Sequence, residues 1–181
     1  MVDNRQIKTV AILFKSCDKT PMVFKEHHME MIRKTLPAAG QLVYAETEDE
    51  LLEKKVNADV LITWGQYSPV RYCQFATNLK WVFAFSAGVE GLVSPEMRQF
   101  NFRLCNAKGI HGKPIADHVM GFILSHLRCF PVFAEQQKKK IWKKASSIID
   151  ETHEKTVAII GAGDIGKEVA RKCKAFDMRV L

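Results

Sequence analysis

Five short, nearly unbroken apolar runs punctuate the first 105 residues, at 9–14, 41–45, 59–63, 80–85 and 102–105. Runs of this length, bounded by polar or turn-forming residues, read as strands buried on both faces. Between them the apolar residues recur at helical spacing. Met29, Ile32 and Leu36 do so within 27–36, and Leu51, Leu52 and Val56 extend a helix opened by Thr47-Glu48-Asp49-Glu50, which has capping-box spacing. Ser94-Pro95-Glu96 reads as another helix start, with a capping serine and proline in the first helical position. Strands alternating with helices predict a parallel sheet covered on both sides.

The pattern changes after residue 105. Residues 115–128 predict a long helix with apolar residues on most sides, which must be buried inside its own domain or against another subunit. A lysine-rich stretch and a polar connection from Ser146 to Lys155 follow. Val157, Ala158, Ile159 and Ile160 then read as a buried parallel strand leading into Gly161-Ala162-Gly163-Asp164-Ile165-Gly166. Ile165, Val169, Ala170 and Cys173 are spaced for one apolar helix face, and 178–181 reads as a second strand.

The spacing G-x-G-x-x-G between a strand and a helix has a physical reason. Gly161 allows a tight turn, Gly163 lets a pyrophosphate approach the backbone, and Gly166 lets the helix pack closely on the strand. The phosphates then meet unpaired N–H groups at a helix N-terminus, where the macrodipole favours negative charge. Asp164 and Ile165 supply part of that first turn. The chain therefore divides into 1–105, one α/β domain, and 106–181, a long helix followed by an incomplete nucleotide-binding unit.

Composition removes several alternatives. Hydrophobic content of 47% and charged content of 26% suit an ordinary globular protein. The net charge of +7 owes much to Lys138, Lys139, Lys140, Lys143 and Lys144 around Ile141 and Trp142. With no recognition motif beside them, they read as a solvated helix face rather than a nucleic-acid site. The five cysteines, Cys17, Cys73, Cys105, Cys129 and Cys173, lack both C-x-x-C and zinc-ligand spacing, so no metal is expected and a reducing, cytoplasmic setting is. The start is polar, and 119–134 is too short and too interrupted to span a bilayer, so no membrane partner is expected. Among the histidines, His27 and His28 fall at a surface helix, His126 reads as packed in the long helix, His153 lies in the connector, and His111 reads as a loop residue near the cleft.

Taken in order, these segments resemble the N-terminal part of the D-isomer-specific 2-hydroxyacid dehydrogenases. The matching residues are Ser86-Ala87-Gly88-Val89-Glu90-Gly91-Leu92, Asn106 to Gly112, Ile115-Ala116-Asp117-His118, then Arg128, Gln136, Trp142 and Gly161 to Gly166. Asp117 stands where that family usually has Glu, and the Asp117-His118 pair reads as a helix-start and packing feature. The resemblance implies a flavodoxin-like parallel-sheet substrate domain plus the first β-α-β of a Rossmann dinucleotide-binding domain. It implies hydride transfer between NAD or NADP and a small D-2-hydroxy acid or 2-keto acid, with Gly88 and Val89 holding the substrate carboxylate on backbone N–H groups. Small residues after a strand leave such groups free to meet an anion.

The family's substrate-clamping Arg and proton-moving His–Glu pair lie beyond the second strand of the cofactor domain, inside which this sequence stops. The acidic residue that meets the adenine ribose, about 20 residues after the glycine motif, falls at or past Leu181. The 181 residues alone are therefore expected to be inactive, with no catalytic residue of their own, and to form a homodimer or larger homo-oligomer. The alternative is a non-catalytic dimerisation or regulatory module derived from the same fold.

Overall fold

A computed structural model describes residues 7–14, 24–144 and 148–181. Residues 1–6, Cys17 and Ser146 lie outside the described residues. Two compact units emerge, Met1–Lys108 and Gly109–Leu181.

The first unit is built on a parallel sheet of β1 (Thr9–Leu13), β2 (Gln41–Ala45), β3 (Val60–Thr63), β4 (Trp81–Ala84) and β5 (Arg103–Asn106). Their order is β2-β1-β3-β4-β5. This is the flavodoxin-like doubly wound order, whose winding reverses between β1 and β3. The apolar runs form strands because both faces are covered. Ala11, Leu13, Leu61, Val82 and Ala84 face α2 (Glu48–Glu53) and α3 (Val70–Phe75), which contribute Leu51, Tyr72 and Cys73. The alternate residues Val10, Ile12, Val60 and Ile62 face the other way, where α1 (Glu26–Arg33) contributes Met29. Complete burial of side chains such as Ile12, Leu51 and Leu61 stabilises the unit by about 1.5–3 kcal/mol each.

One polar group is built into this core. Asp59, at the entrance of β3, accepts the backbone amides of Lys8 (2.9 Å) and Thr9 (3.0 Å) on one oxygen and the Lys80 ammonium (2.9 Å) on the other. It ties the first residues of β1 to those of β3 and β4.

Several elements depart from the sequence pattern. Thr47 caps α2 by accepting from the Glu50 amide at 3.3 Å, but the helix stops at Glu53 because Lys55 turns left-handed (φ 51°). Val56 therefore packs into the core from outside the helix. Ser94-Pro95-Glu96 does not open a helix. Met97 and Arg98 close a single turn on the Ser94 carbonyl, and burial of Met97 then carries the chain toward β5. The helix α3 had no visible signal, since in six residues only Tyr72 and Cys73 are buried.

The second unit contains α4 (Gly112–Leu127), α5 (Phe130–Lys138), β6 (Thr156–Val157), α6 (Asp164–Ala175) and β7 (Arg179–Val180). β6 and β7 are parallel. Ala116 and Met120 of α4 pack with Val169 and Cys173 of α6, together with Val157, Ile159 and Val180. Lys172 also pairs with Asp117 across the two helices. The long helix is thus covered along one stripe, while Phe122 on its outer side is 66% exposed.

Four further expectations need correction here. The run 157–160 is covered on one face only: Ile159 is half-buried and Ile160 is fully exposed, because the cluster that packs on these strands includes their alternate residues alone. Ile165 is 43% exposed, since the buried stripe of α6 runs through Gly166, Val169 and Cys173 instead. His126 is exposed rather than packed. The lysines are solvated but share no helix face: α5 ends at Lys138, Lys140 turns left-handed (φ 53°), and residues 141–144 follow without helix.

Candidate functional site

In the first unit the loop after β4 is held by the loop after β3. The Gly65 amide donates to the Ser86 hydroxyl at 3.0 Å, and that hydroxyl donates onward to the Gly88 carbonyl at 2.7 Å. The Gly91 amide donates to the Gly65 carbonyl at 2.9 Å, and the Ser68 hydroxyl to the Gly91 carbonyl at 2.7 Å. From β5, the Asn106 side-chain amide donates to the Ala87 carbonyl at 2.6 Å. Ala87, Gly88 and Gly91 of this loop are therefore fixed through their carbonyl oxygens.

What remains free is the donor side. Among the described residues the amides of Gly88 and Val89 have no intramolecular acceptor, and both residues are half-buried. Two unsatisfied N–H groups on a pinned loop at the carboxyl end of a parallel sheet are an arrangement suited to meeting an anion. Gly65 is required by close approach, because a Cβ there would stand 1.8 Å from the Gly88 carbonyl oxygen.

Neighbouring titratable groups are arranged for support rather than chemistry. Buried Glu48 accepts the Tyr67 hydroxyl at 3.1 Å, and burial, then the Glu48 charge, pushes Tyr67 up to about 12. Burial likewise pushes Cys73 up to about 12, so it carries its proton at neutral pH and is no nucleophile.

In the second unit the glycine turn has the local geometry its spacing implies. Gly161 adopts φ +103°, a left-handed conformation that favours glycine. A Cβ on Gly163 would meet open space, so the backbone there is accessible. A Cβ on Gly166 would stand 2.1 Å from the Gly161 carbonyl oxygen and 3.2 Å from Ile159 Cγ2, so helix and strand are in close contact at that point. The first intrahelical bond of α6 is Lys167 N–H to the Gly163 carbonyl (2.9 Å). The amides of Asp164, Ile165 and Gly166 precede it and are left for a ligand or solvent.

The start of α4 lies beside this turn. A Cβ on Gly112 would be 3.1 Å from the Asp164 carbonyl oxygen. The two helix N-termini border a cavity of about 550 Å³ that also takes in Lys113, Lys167 and Glu168. Two macrodipoles and two ammonium groups favour an anion there, with Asp164 and Glu168 opposing. Sequence reasoning missed Lys113 and Lys167. Their signal was position, a basic residue in the first turn of each helix, which only the pairing of α4 with α6 makes meaningful. Asp117 and His118 are packing groups, Asp117 on Lys172 and His118 edge-on to Phe122 with ring centroids 4.7 Å apart. His111 is the exposed residue before α4.

A doubly wound parallel unit followed by a strand, a glycine turn and a helix is an architecture shared with dinucleotide-binding α/β proteins. Residues 120–181 match the family model of the D-isomer specific 2-hydroxyacid dehydrogenase, NAD binding domain. The C-terminal part of the chain is thus similar to the NAD binding domain of that family. A D-3-phosphoglycerate dehydrogenase of Methanocaldococcus jannaschii is 28% identical over 151 residues, covering 82% of this chain and 29% of its own length. A glyoxylate reductase of Pyrococcus furiosus is 27% identical over 141 residues, covering 74% of this chain and 42% of the relative. A solved D-isomer specific 2-hydroxyacid dehydrogenase family protein from Aeromonas salmonicida superposes with a TM-score of 0.78 at 24% identity, over 97% of this chain and 53% of that one. The chain thus spans less than half the length of these two curated relatives.

Proposed function

We propose that these residues form the N-terminal part of an NAD(P)-dependent oxidoreductase acting on a small D-2-hydroxy acid or its 2-keto acid. The observation that carries the reading is the presence, on one chain, of an anion-binding loop with free Gly88 and Val89 amides and of a glycine turn with an accessible backbone at Gly163. Gly88 and Val89 hold the substrate carboxylate. Gly161 and Gly163 shape the turn, and the amides of Asp164, Ile165 and Gly166 hold the cofactor pyrophosphate. When bound, the nicotinamide supplies hydride transfer. Titrating the isotope-labelled chain with NADH and with NADPH tests this. Weak binding of both, with amide shifts centred on 161–166, is expected. Unchanged shifts in that segment at millimolar cofactor would refute the reading.

A homo-oligomer is part of the same proposal. The outer surface of α4 exposes Phe122, and α5, which buries no residue, exposes Phe130 (56%) and Val132 (40%). Apolar groups concentrated on adjoining helices suit an isologous contact with a second copy. Light scattering is expected to give at least twice the mass of 20.6 kDa; a monodisperse monomer counts against it. Among the described residues no helix is long and apolar enough to cross a membrane. The free thiols Cys73, Cys105, Cys129 and Cys173 support a cytoplasmic setting.

A further inference from the structure

The carboxylate loop carries a charge of its own. A Cβ placed on Gly88 would lie 2.6 Å from Glu90 Oε2 and 3.0 Å from Glu90 Oε1. The Glu90 side chain is therefore folded back over the α-carbon of Gly88, beside the very residue whose amide is free. The backbone cannot turn away from it, because the Gly88 carbonyl is held by Ser86 and packed against Gly65. Glu90 is solvent-exposed, and no cation pairs with it among the described residues.

We infer that Glu90 is a specificity-determining residue of this loop, which admits a 2-keto acid with a single negative charge and disfavours one with two. The inference rests on Gly88 and Val89 being the carboxylate-binding amides. Its physics is Coulombic. A fixed unit charge opposes each unit of charge on the ligand separately, so the penalty grows with ligand charge while hydrogen bonding to the loop stays the same. For charges about 5 Å apart in a water-like dielectric the penalty is a factor of about four in affinity per ligand charge at low salt.

Oxamate and oxalate separate this effect from shape, being planar and nearly isosteric with one and two charges. The full 181-residue chain and its Glu90→Gln variant would be titrated with each probe at low ionic strength, following the Gly88 and Val89 amides. The exposed position and equal size of the replacement leave folding unaffected, which the remaining amide spectrum checks. Glu90→Gln is expected to tighten oxamate about fourfold and oxalate about sixteenfold, so that the preference for oxamate narrows about fourfold. Added salt should erase most of the difference. Equal oxamate-to-oxalate ratios in both proteins, with Gly88 and Val89 responding, would overturn the role of Glu90 and leave the anion loop standing. No response of those amides to either probe in either protein would overturn both.

Discussion

Gly65→Ala is expected to destabilise the first unit by about 3–5 kcal/mol and to release the loop at 86–91. The added methyl would stand 1.8 Å from the Gly88 carbonyl oxygen and 2.4 Å from the Ser86 hydroxyl. Neither can retreat cheaply, because each is hydrogen-bonded to the other and the first is main chain. Overpacking alone costs about 1–3 kcal/mol, and the two bonds made by the Gly65 amide and carbonyl add roughly 1 kcal/mol each when broken. Against a total stability of about 5–15 kcal/mol this is a large fraction. Gly121→Ala is the control, since its Cβ meets nothing within 4 Å and alanine suits a helix interior. Urea unfolding reads both. A Gly65→Ala midpoint equal to the wild type would show that the two loops are not locked as described.

Asp59→Ala is expected to cost about 2–4 kcal/mol at neutral pH. It removes the acceptor of two backbone amides and one ammonium group at the sheet entrance, leaving the Lys8 and Thr9 amides short of a partner. The pH dependence gives the sharper test. Burial pushes the Asp59 carboxyl up, but the Lys8 amide, the Lys80 ammonium and the Thr9 amide more than offset it, and the net direction is below the ordinary 3.8. A carboxylate with a lowered folded-state pKa contributes its charge-dependent stability in full above its unfolded value. It loses that contribution as pH falls through the folded value. The stability gap between wild type and Asp59→Ala should therefore be flat from about pH 7 to pH 5 and shrink below about pH 4. A gap unchanged down to about pH 2 would mean that the shape of the side chain matters and its charge does not.

How legible the site was depends on which atoms it uses. Gly161 to Gly166 could be named because a glycine turn between strand and helix advertises free backbone, whereas Gly88 and Val89 were named through the family resemblance, with small residues after a strand as the chemical reason. Asn106, Gly65 and Ser68 were not visible as partners of that loop. They sit up to 26 positions away from the loop residues they bond, and nothing in a linear string says that the β3 and β4 loops cross. The same applies to Glu90, whose neighbour Gly88 meets its carboxylate only because the turn folds the side chain backwards.

The five strands of the first sheet were legible in the sequence alone. A parallel strand is buried on both faces, so its apolar run survives in the text whatever packs against it. Where burial is one-sided or short, local pattern was ambiguous and tertiary contact decided. Ser94-Pro95-Glu96 has every local mark of a helix start, yet the burial of Met97 ends it after one turn. Residues 157–160 read as a buried strand, yet Ile160 is bare because the packed cluster takes up only the alternate residues Val157 and Ile159. Residues 115–128 read as buried all round, and α6 covers a single stripe of them. Hydrophobicity declares that a residue prefers contact. Only the arrangement of α4 and α6 about two short strands settles which residues receive it.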